Sequence, residues 1–429
     1  MNSSDPTTGA AAAPAPARPF RLPRALQERD FRRFWTGETV SLFGDQITLI
    51  ALPLVAVLEL HASAAQMGYL GAAQLVPALV FSLHAGAWLD RHGKRRQAMI
   101  FTALGRAALL ATIPVAFWLD ALTLTQLYVV SFLVGTLSVF FFVAYSTLFV
   151  SLVPRERYVE ASSLLNGSRA MSYVGGPSVG GLLVQVFSAP GALVADAASF
   201  LFSALAMHSI SPVEPPTEEA ERGHLKAGIS YIRHSPIIRA SLLATATINF
   251  FNFVFWALFV LYATRTLGVS PGTLGLVLGA GAVGSLVGSV AAAPVTRRIG
   301  IGPTLLLGCF VFSAPFLLVP LAGGPEPVVL LCLFLAELGS GFGVMLLDIS
   351  AGAIFAAVIP IRLRSRVSGA YTFMNYGVRV LGSLLGGLLG STIGVRPTLA
   401  IGAAGALLGA LMLLPTPVVR LRELPEPDE

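Results

Sequence analysis

The sequence predicts an all-α integral membrane protein with twelve transmembrane helices in two six-helix bundles related by an internal repeat. Composition is the first observation behind this prediction. Of the 429 residues, 55% are hydrophobic and only 12% are charged, whereas soluble proteins carry about 25% charged residues. The second observation is that apolar runs of the length needed to cross a bilayer, about 20 residues, recur along the whole chain.

Twelve predicted spans follow one another with short connections, except after the sixth. They cover residues 34–58, 66–89, 97–119, 125–152, 162–187, 190–210, 239–263, 271–293, 303–322, 327–357, 367–391 and 397–416. We therefore expect a disordered tail over 1–30, an N-terminal bundle over 31–211, a linker over 212–236, a C-terminal bundle over 237–416 and a second tail over 417–429. Within the linker, Leu225, Ile229 and Ile232 share one face of a short amphipathic helix, which is typical of a helix lying on the membrane surface.

Lysine and arginine are distributed unequally between alternate loops. Of the 28 cations, 23 lie in one set of connections, two (Arg265 and Arg396) lie in the other set, and three lie within spans. Positive loops remain in the cytoplasm, so we expect a multi-pass protein of the cytoplasmic (inner) membrane with both termini cytoplasmic. Because the cations are spread over many loops, the net charge of +6 does not indicate nucleic-acid binding.

The two halves of the sequence resemble each other. A shift of 206 residues places Pro154 on Pro360 and the glycine cluster 175–183 on 381–389, and a shift of 207 places Gly93 on Gly300. Two parallel repeats are the layout of secondary transporters in which one half rocks against the other. The sequence has no phosphate-binding G-x-x-x-x-G-K-[ST] segment and no nucleophile–base or metal-ligand pattern, so we expect neither an enzyme nor a cofactor.

The segment "GAWLDRHGKRR" (86–96) fills the loop between spans two and three. Gly86 permits close helix approach, Gly93 permits a tight turn, and Asp90 can pair with an arginine or a helix N-terminus. The basic residues hold the loop on an anionic membrane surface. The loop is therefore either a topology anchor or a latch for that side of the membrane, formed by Gly86, Asp90, Arg91, Gly93, Lys94 and Arg95.

Span five contains "GGPSVGG", with Gly176, Pro177, Gly180 and Gly181. Proline removes one backbone donor and kinks a helix, and glycines let a partner backbone approach closely. The segment therefore predicts a bent, tightly packed helix–helix interface.

On these residues the chain resembles the major facilitator superfamily, whose loop signature is G-x-x-x-D-R-x-G-K/R-R and whose proton-antiporting exporters carry G-P-x-x-G-G in span five. The phrases "GDQITLIALPLV", "LVPRERYVEASSLLNGSRA" and "VADAASFLFSAL" are similar to enterobactin-type siderophore exporters and macrolide efflux proteins. The resemblance implies that Asp90 and Arg91 belong to a cytoplasmic gate and that spans one, five, ten and eleven line or adjoin a central cavity. The chain departs from many drug exporters of the family because its span four has no arginine.

Apart from Arg239 at the first position of span seven, eight Asp, Glu and Arg residues lie within the predicted spans: Glu38, Asp45, Arg106, Arg169, Asp196, Glu337, Asp348 and Arg379. A charge at the bilayer centre costs about 2.5–3.5 kcal/mol, so each is a candidate functional residue. At 1.5 Å per residue, three of them (Asp45, Asp348 and Arg379) lie about 18 Å from the cytoplasmic end, near the middle of the core. We take Glu38, Asp45, Arg169, Glu337, Asp348 and Arg379 as proton or substrate candidates. Arg106 and Asp196 are interpreted as structural, since the resemblance places their spans at the periphery.

Asp45 has no cation on its own helix, and Glu38 lies seven residues away on the same face. An unpaired carboxylate in an apolar cavity favours its protonated form, as a proton carrier requires. The alternative is a hydrogen-bonding role between helices. For Asp348 and Arg379 we expect an ion pair between neighbouring spans. Arg169 is the cation best placed to meet an anionic substrate, and the alternative is a bridge from Arg169 to a backbone carbonyl of span four.

Span seven combines Asn249 and Asn252 with five aromatic residues, which is typical either of a lipid-facing surface or of a wall that binds lipophiles. Other Asn and Gln residues are few within the spans, which disfavours a dense hydrogen-bonding pocket. The sequence therefore predicts a monomeric secondary exporter of a small or medium-sized organic compound, drug-, antibiotic- or siderophore-like, by alternating access with proton antiport. Its partners would be the substrate, protons and the lipid bilayer. A proton-coupled uptake symporter for a metabolite, and a lipid-handling flippase on the same fold, remain the alternatives.

Overall fold

The computed structural model describes residues 23–211 and 225–424, which are almost entirely helical. In the order of the predicted spans, the helices are Arg29–Glu59, Ala64–His92, Arg95–Trp118, Leu124–Leu152, Tyr158–Phe187, Ala189–His208, Pro236–Arg265, Pro271–Ile299, Ile301–Leu321, Glu326–Val358, Ile361–Thr392 and Val395–Leu413. Within the described ranges, ten helices are long and apolar enough to cross a membrane. The helices of spans five and eleven, 30 and 32 residues long, are richer in small and polar residues.

Hydroxyl side chains fix where several helices begin. Ser63 accepts a hydrogen bond from the backbone N–H of Gln66 and forms a capping box at the start of span two. Thr123, Ser235 and Ser270 cap spans four, seven and eight in the same way. These caps satisfy backbone donors that a helix leaves without a partner at its first turn.

The packing within one half repeats in the other. Span one packs on spans five and six, and span seven packs on spans eleven and twelve; likewise span two packs on span four, and span eight packs on span ten. Glycine permits this close packing, since a Cβ at Gly44 would meet Ser199 and one at Gly402 would lie 3.0 Å from Phe255. The predicted fold class, two helical bundles related by an internal repeat, is confirmed.

The two halves meet through spans two and eleven and through spans five and eight. Their closest contacts lie at one end of the bundles, which we call the opposite face because the first and last described residues, Pro23 and Leu424, lie at the other end. There a Cβ at Gly68 would lie 2.7 Å from the Cα of Gly387, and one at Gly181 would lie 2.9 Å from the Cα of Gly275. The Ser383 hydroxyl also donates to the Gly68 carbonyl at 3.1 Å. The opposite face is therefore closed.

The halves separate toward the other end, which we call the basic face because the described cation-rich loops lie there. Four glycines toward this end, Gly86, Gly167, Gly352 and Gly369, have no atom of the described residues within 4 Å of an added Cβ. They belong to spans two, five, ten and eleven, and the last three of these are among the spans expected to line or adjoin the central cavity. The structure is therefore open toward the basic face.

The predicted amphipathic helix is present as Leu225–His234 and packs against span eleven. Ile232 is buried in a cluster with Val367 and Ala370 of span eleven, whereas Ile229 is exposed. On the predicted apolar face, Ile232 therefore packs into the bundle, whereas Ile229 does not. The Leu225 side chain and residues 212–224 lie outside the described part of the chain.

Part of each predicted tail is folded. A helical turn at Arg24–Gln27 and the start of span one at Arg29 occupy the end of the stretch 1–30, so the prediction of disorder is wrong for residues 24–30. Residues 1–22 and 425–429 lie outside the description. At the other terminus, the backbone N–H of Gly302 donates to the carbonyl of Leu421 at 2.8 Å, which fixes the segment after span twelve to span nine.

Candidate functional site

Asp45 and Arg106 form an ion pair in the N-terminal half. The Oδ1 atom of Asp45 lies 3.8 Å from Nη1 of Arg106, and the two side chains are 47% and 3% exposed. Asp45, which has no cation within its own predicted span, is therefore not unpaired, because Arg106 of another span is its partner. The long arginine side chain reaches Asp45 of span one from span three, although these two spans do not pack extensively on each other. Asp45 remains accessible while its partner is buried.

Two aromatic rings enclose the guanidinium group of Arg106. Its Cζ atom lies 4.3 Å from the ring centroid of Phe141 and 4.0 Å from that of Phe200. Cation–π contacts of this kind are worth about 2 kcal/mol when desolvated. Among the described residues, Nε and Nη2 of Arg106 have no hydrogen-bond partner. Asp45 thus supplies the direct countercharge to a buried cation.

Asp196 of span six lies in the same cluster and is fully buried. The hydroxyl groups of Thr48 and Ser199 donate to its two carboxylate oxygens, the latter at 2.9 Å. It also interacts electrostatically with Asp45 and Arg106. The structure therefore links the residue pair interpreted as peripheral, Arg106 and Asp196, to the candidate residue of span one.

Glu38 and Arg169 lie at the edge of this cluster. Glu38 is 5% exposed, and its Oε2 atom has no hydrogen-bond partner in the described part of the chain. It interacts electrostatically with Asp45, Arg106 and Arg169. Arg169 also interacts with the side chain of Tyr145 in span four. We call these five ionisable residues, Glu38, Asp45, Arg106, Arg169 and Asp196, the N-terminal charge cluster.

The C-terminal half contains a cavity of about 440 Å³ formed by spans seven, ten and eleven. Polar side chains line it: Thr245, Asn249, Asp348, Tyr371, Asn375 and Arg379. The expectation of few hydrogen-bonding groups is therefore wrong for this half.

A chain of hydrogen bonds joins span eleven to span seven across this cavity. Nε of Arg379 donates to Oδ1 of Asn249 at 3.0 Å, and Nδ2 of Asn249 donates to Oδ1 of Asn375 at 3.0 Å. The hydroxyl groups of Thr245 and Tyr371 are hydrogen-bonded one turn closer to the basic face. Satisfied polar networks of this kind make the positions of their members rigid.

Asp348 and Arg379 line the same cavity but do not form the expected ion pair. No nitrogen–oxygen distance between these two described side chains is within 4 Å. Arg379 donates a hydrogen bond to Asn249 instead. The ring centroids of Phe253 and Tyr376 lie 5.3 and 5.1 Å from the Cζ atom of Arg379. Asp348 is exposed to the cavity. The cavity therefore contains two opposite charges that do not neutralise each other by direct contact.

Glu337 lies apart from this cavity, between spans ten and eight. It is 6% exposed, faces Gly281, and its Oε1 atom has no hydrogen-bond partner among the described residues. A proton or substrate role for Glu337 stays a prediction.

Sequence reasoning missed Asn249, Asn375 and Tyr371 as site residues. The available signal was spacing: Thr245 and Asn249 are four residues apart, and Tyr371, Asn375 and Arg379 follow at intervals of four. Polar residues at this interval share one helix face. The aromatic residues of span seven do not form a purely lipid-facing wall either, because Phe255 and Phe259 are buried within the bundle.

A sequence profile of the Major Facilitator Superfamily matches residues 34–379 and, in a second overlapping match, residues 242–429. The chain belongs to this superfamily. It is 27% identical to the multidrug efflux pump Tap of Mycolicibacterium fortuitum over 398 residues, covering 89% of this chain and 93% of Tap. It is 26% identical to YfiS of Bacillus subtilis, an uncharacterized MFS-type transporter, covering 87% of this chain and 89% of YfiS.

Solved structures of the superfamily share the fold. A mutant of the nucleoside transporter NupG aligns with a TM-score of 0.72 at 12% identity, covering 90% of this chain and 99% of NupG. A bacterial homologue of the iron transporter ferroportin, in an inward-facing state, aligns with a TM-score of 0.71 at 16% identity, covering 90% and 98% of the two chains. The protein is therefore a multi-pass membrane transporter of the superfamily.

The superfamily loop between spans two and three has the turn that its glycine predicts. Gly93 adopts a left-handed conformation with φ of +64°, and its N–H donates to the carbonyl of Leu89 at 2.9 Å. Arg96 donates from Nε to the carbonyl of Met207 at 3.0 Å and so caps the end of span six. The Asp90 side chain lies outside the described part of the chain. A latch role for the loop stays a prediction.

The span-five motif lies where span five passes span one and reaches span eight. A Cβ at Gly180 would lie 3.1 Å from the Cα of Ile47, and Gly176 faces Gln46 in the same way. Gly181 lies against Gly275 of span eight, and the helix is continuous through Pro177. The predicted close backbone approach is confirmed, and part of it lies in the seam between the halves.

Proposed function

We propose that this transporter exports small or medium-sized organic compounds across the cytoplasmic membrane by alternating access, with proton antiport as the energy source. The basic face is assigned to the cytoplasm because cation-rich loops remain there. The conformation described above is then open to the cytoplasm, as an exporter must be to load its substrate. The similarity to Tap over nearly the whole chain supports export of organic compounds.

The observation that carries the proposal is the composition of the N-terminal charge cluster. It contains three carboxyl groups and two guanidinium groups. Glu38 interacts electrostatically with Asp45, Arg106 and Arg169, and Arg106 also interacts with Asp45 and Asp196. One carboxyl group is therefore in excess, and a single bound proton balances the cluster. Uncompensated charges at membrane depth are costly, which favours binding of that proton. Glu38 and Asp196 are buried, so Asp45, at 47% exposure, is the carboxyl group in contact with the open space.

The pairing with Arg106 gives Asp45 a simple cycle. Deprotonated Asp45 balances the buried guanidinium group, and protonation from the outer side weakens that ion pair. A cationic substrate that enters from the cytoplasm competes with the proton for the same carboxylate. Mutually exclusive occupancy of one carboxylate is sufficient to couple outward substrate movement to inward proton movement.

The test is real-time efflux of a preloaded lipophilic cationic dye from cells that lack their main exporters. Wild type, Asp45→Asn and Asp120→Asn are compared with empty vector, with and without a protonophore. Asp120 is a matched control because it is exposed outside the spans, and asparagine tolerates its positive φ of 53°.

We expect protonophore-sensitive efflux for wild type and Asp120→Asn and at least a tenfold lower rate for Asp45→Asn. Undiminished efflux by Asp45→Asn would refute its coupling role. Absence of efflux by wild type, shown to be in the membrane, would refute export of lipophilic cations.

Proton-coupled uptake of a polar metabolite is the second candidate. The hydrogen-bond chain from Arg379 through Asn249 to Asn375 favours it, because polar substrates need many fixed donors and acceptors. Antiport and symport move protons in opposite directions for a given substrate gradient, so measurement of proton movement separates them.

A further inference from the structure

We propose that the cavity of the C-terminal half is a binding site for zwitterionic organic molecules, with the substrate anion on Arg379 and its cation on Asp348. This inference rests on the proposed function only in assuming that the cavity faces the transport path. It adds a substrate class, defined by two opposite charges on one molecule.

The two halves of the protein differ in whether their opposite charges are in direct contact. In the N-terminal charge cluster, Asp45 and Arg106 are 3.8 Å apart and balance each other directly. In the C-terminal cavity, Asp348 and Arg379 line one space without contact. Charges at membrane depth are costly. Asp348 and Arg379 attract each other only at a distance, and a ligand with both charges would satisfy each group by direct contact.

The guanidinium group of Arg379 is held in one orientation by its neighbours. Its Nε atom is occupied by Asn249, and its guanidinium group is flanked by the rings of Phe253 and Tyr376. These contacts fix the plane of the group, and within the described residues no hydrogen bond engages its Nη1 and Nη2 atoms. Two parallel N–H donors in a fixed plane are the arrangement that binds a carboxylate or phosphate in a bidentate way.

The carboxylate of Asp348 is accessible to a ligand in this cavity. Among the described residues it has neither a hydrogen bond nor an ion pair within 4 Å, and it is exposed to the same cavity. A carboxylate in this position binds an ammonium group. Span ten carries Asp348 and span eleven carries Arg379, so one ligand would join two helices of the C-terminal half.

Aromatic side chains of the cavity can contact the body of a ligand. Phe355 and Tyr371 stack edge to face at 4.6 Å between their ring centroids, and Tyr376 lies beside Arg379 on the same lining. Aromatic walls provide apolar contact without a specific shape. The site therefore suits an aromatic or apolar body that carries an amine and an acid close together.

The test uses three dansyl probes that differ only in charge. Nε-dansyl-lysine carries an ammonium and a carboxylate, dansylcadaverine lacks the carboxylate, and 6-(dansylamino)hexanoate lacks the ammonium. Purified full-length protein in lipid nanodiscs is titrated with each probe, and the rise in dansyl fluorescence gives Kd. Binding at equilibrium does not depend on transport direction or on proton coupling, so this test can fail while the export proposal survives.

We expect wild type to bind dansyl-lysine at least tenfold more tightly than either single-charge probe. Arg379→Gln should remove the advantage over dansylcadaverine only, and Asp348→Asn should remove the advantage over the hexanoate only. Arg379→Lys keeps the charge and should retain part of the preference, which separates recognition from misfolding. Equal affinities of the three probes for wild type, no binding of any probe, or equal weakening of all three by both variants would overturn the assignment.

Discussion

Arg265 connects the two halves at the opposite face, and its removal should open that face. Its guanidinium group, at the end of span seven, donates to the carbonyl of Val57 at 2.8 Å, in the last turn of span one, and to that of Ala62 at 2.9 Å, in the connection that follows. Hydrogen bonds from a charged donor contribute about 1.5–3 kcal/mol each when buried. Because Arg265 is exposed, we expect about 1–2 kcal/mol in total for Arg265→Gln, which is a factor of about 5–30 in the ratio of open to closed opposite face.

The assay measures how often the opposite face opens. Ser383 is 1% exposed in the seam against Gly68, so a cysteine there reacts with a maleimide only when the halves separate. Ser383→Cys is placed in a background without Cys309 and Cys332, and the alkylation rate is compared with and without Arg265→Gln. The change in rate reports the change in the open fraction.

Arg396→Gln is the matched control. Arg396 also lies near the opposite face and donates to a backbone carbonyl, that of Pro320 at 2.6 Å, but both residues belong to the C-terminal half. We expect a roughly 5–30-fold faster alkylation for Arg265→Gln and an unchanged rate for Arg396→Gln. An unchanged rate for Arg265→Gln, or an equal increase for the control, would refute the assignment of Arg265 as a link between halves.

Three further predictions concern buried contacts. Thr48→Val removes one hydroxyl donor from a buried carboxylate, so the free energy of unfolding should fall by about 1–3 kcal/mol; an unchanged thermal unfolding temperature in detergent would contradict this. Gly93→Ala places a Cβ at a φ of +64° and should cost about 1–2 kcal/mol in the same assay, whereas Gly93→Asn should cost less. Gly181→Val would push its side chain into Gly275, so we expect faster alkylation at position 383 and loss of transport; wild-type efflux would show that the seam does not need close contact.

The fold was predictable because a bilayer imposes its own length scale. Apolar runs of about 20 residues with cations between them determine how many helices there are and which side each loop occupies. The predicted ends of the helices were less accurate than their predicted number. Span one begins at Arg29 rather than at residue 34, because charged residues continue a helix beyond the apolar core. For the same reason, part of the stretch predicted as disordered is helical.

The site was only partly predictable because sequence gives depth but not rotation. Asp45 and Arg379 were recognised as charges near mid-depth, yet their partners depend on which face each helix turns to its neighbours. Arg106 reaches Asp45 from span three, and Asn249 reaches Arg379 from span seven. Contacts between distant helices follow from packing. Of these two partners, Asn249 had a signal in the four-residue spacing of polar side chains, whereas Arg106 had none.

Substrate-driven proton movement in proteoliposomes tests the central claim most directly. Purified protein is reconstituted with a pH-sensitive dye in the lumen, the membrane potential is clamped, and dansylcadaverine is added outside. Antiport predicts that the lumen becomes more alkaline as the probe enters and protons leave, and that Asp45→Asn abolishes this change while Asp120→Asn preserves it. Acidification of the lumen, or probe entry without proton movement, would contradict proton antiport.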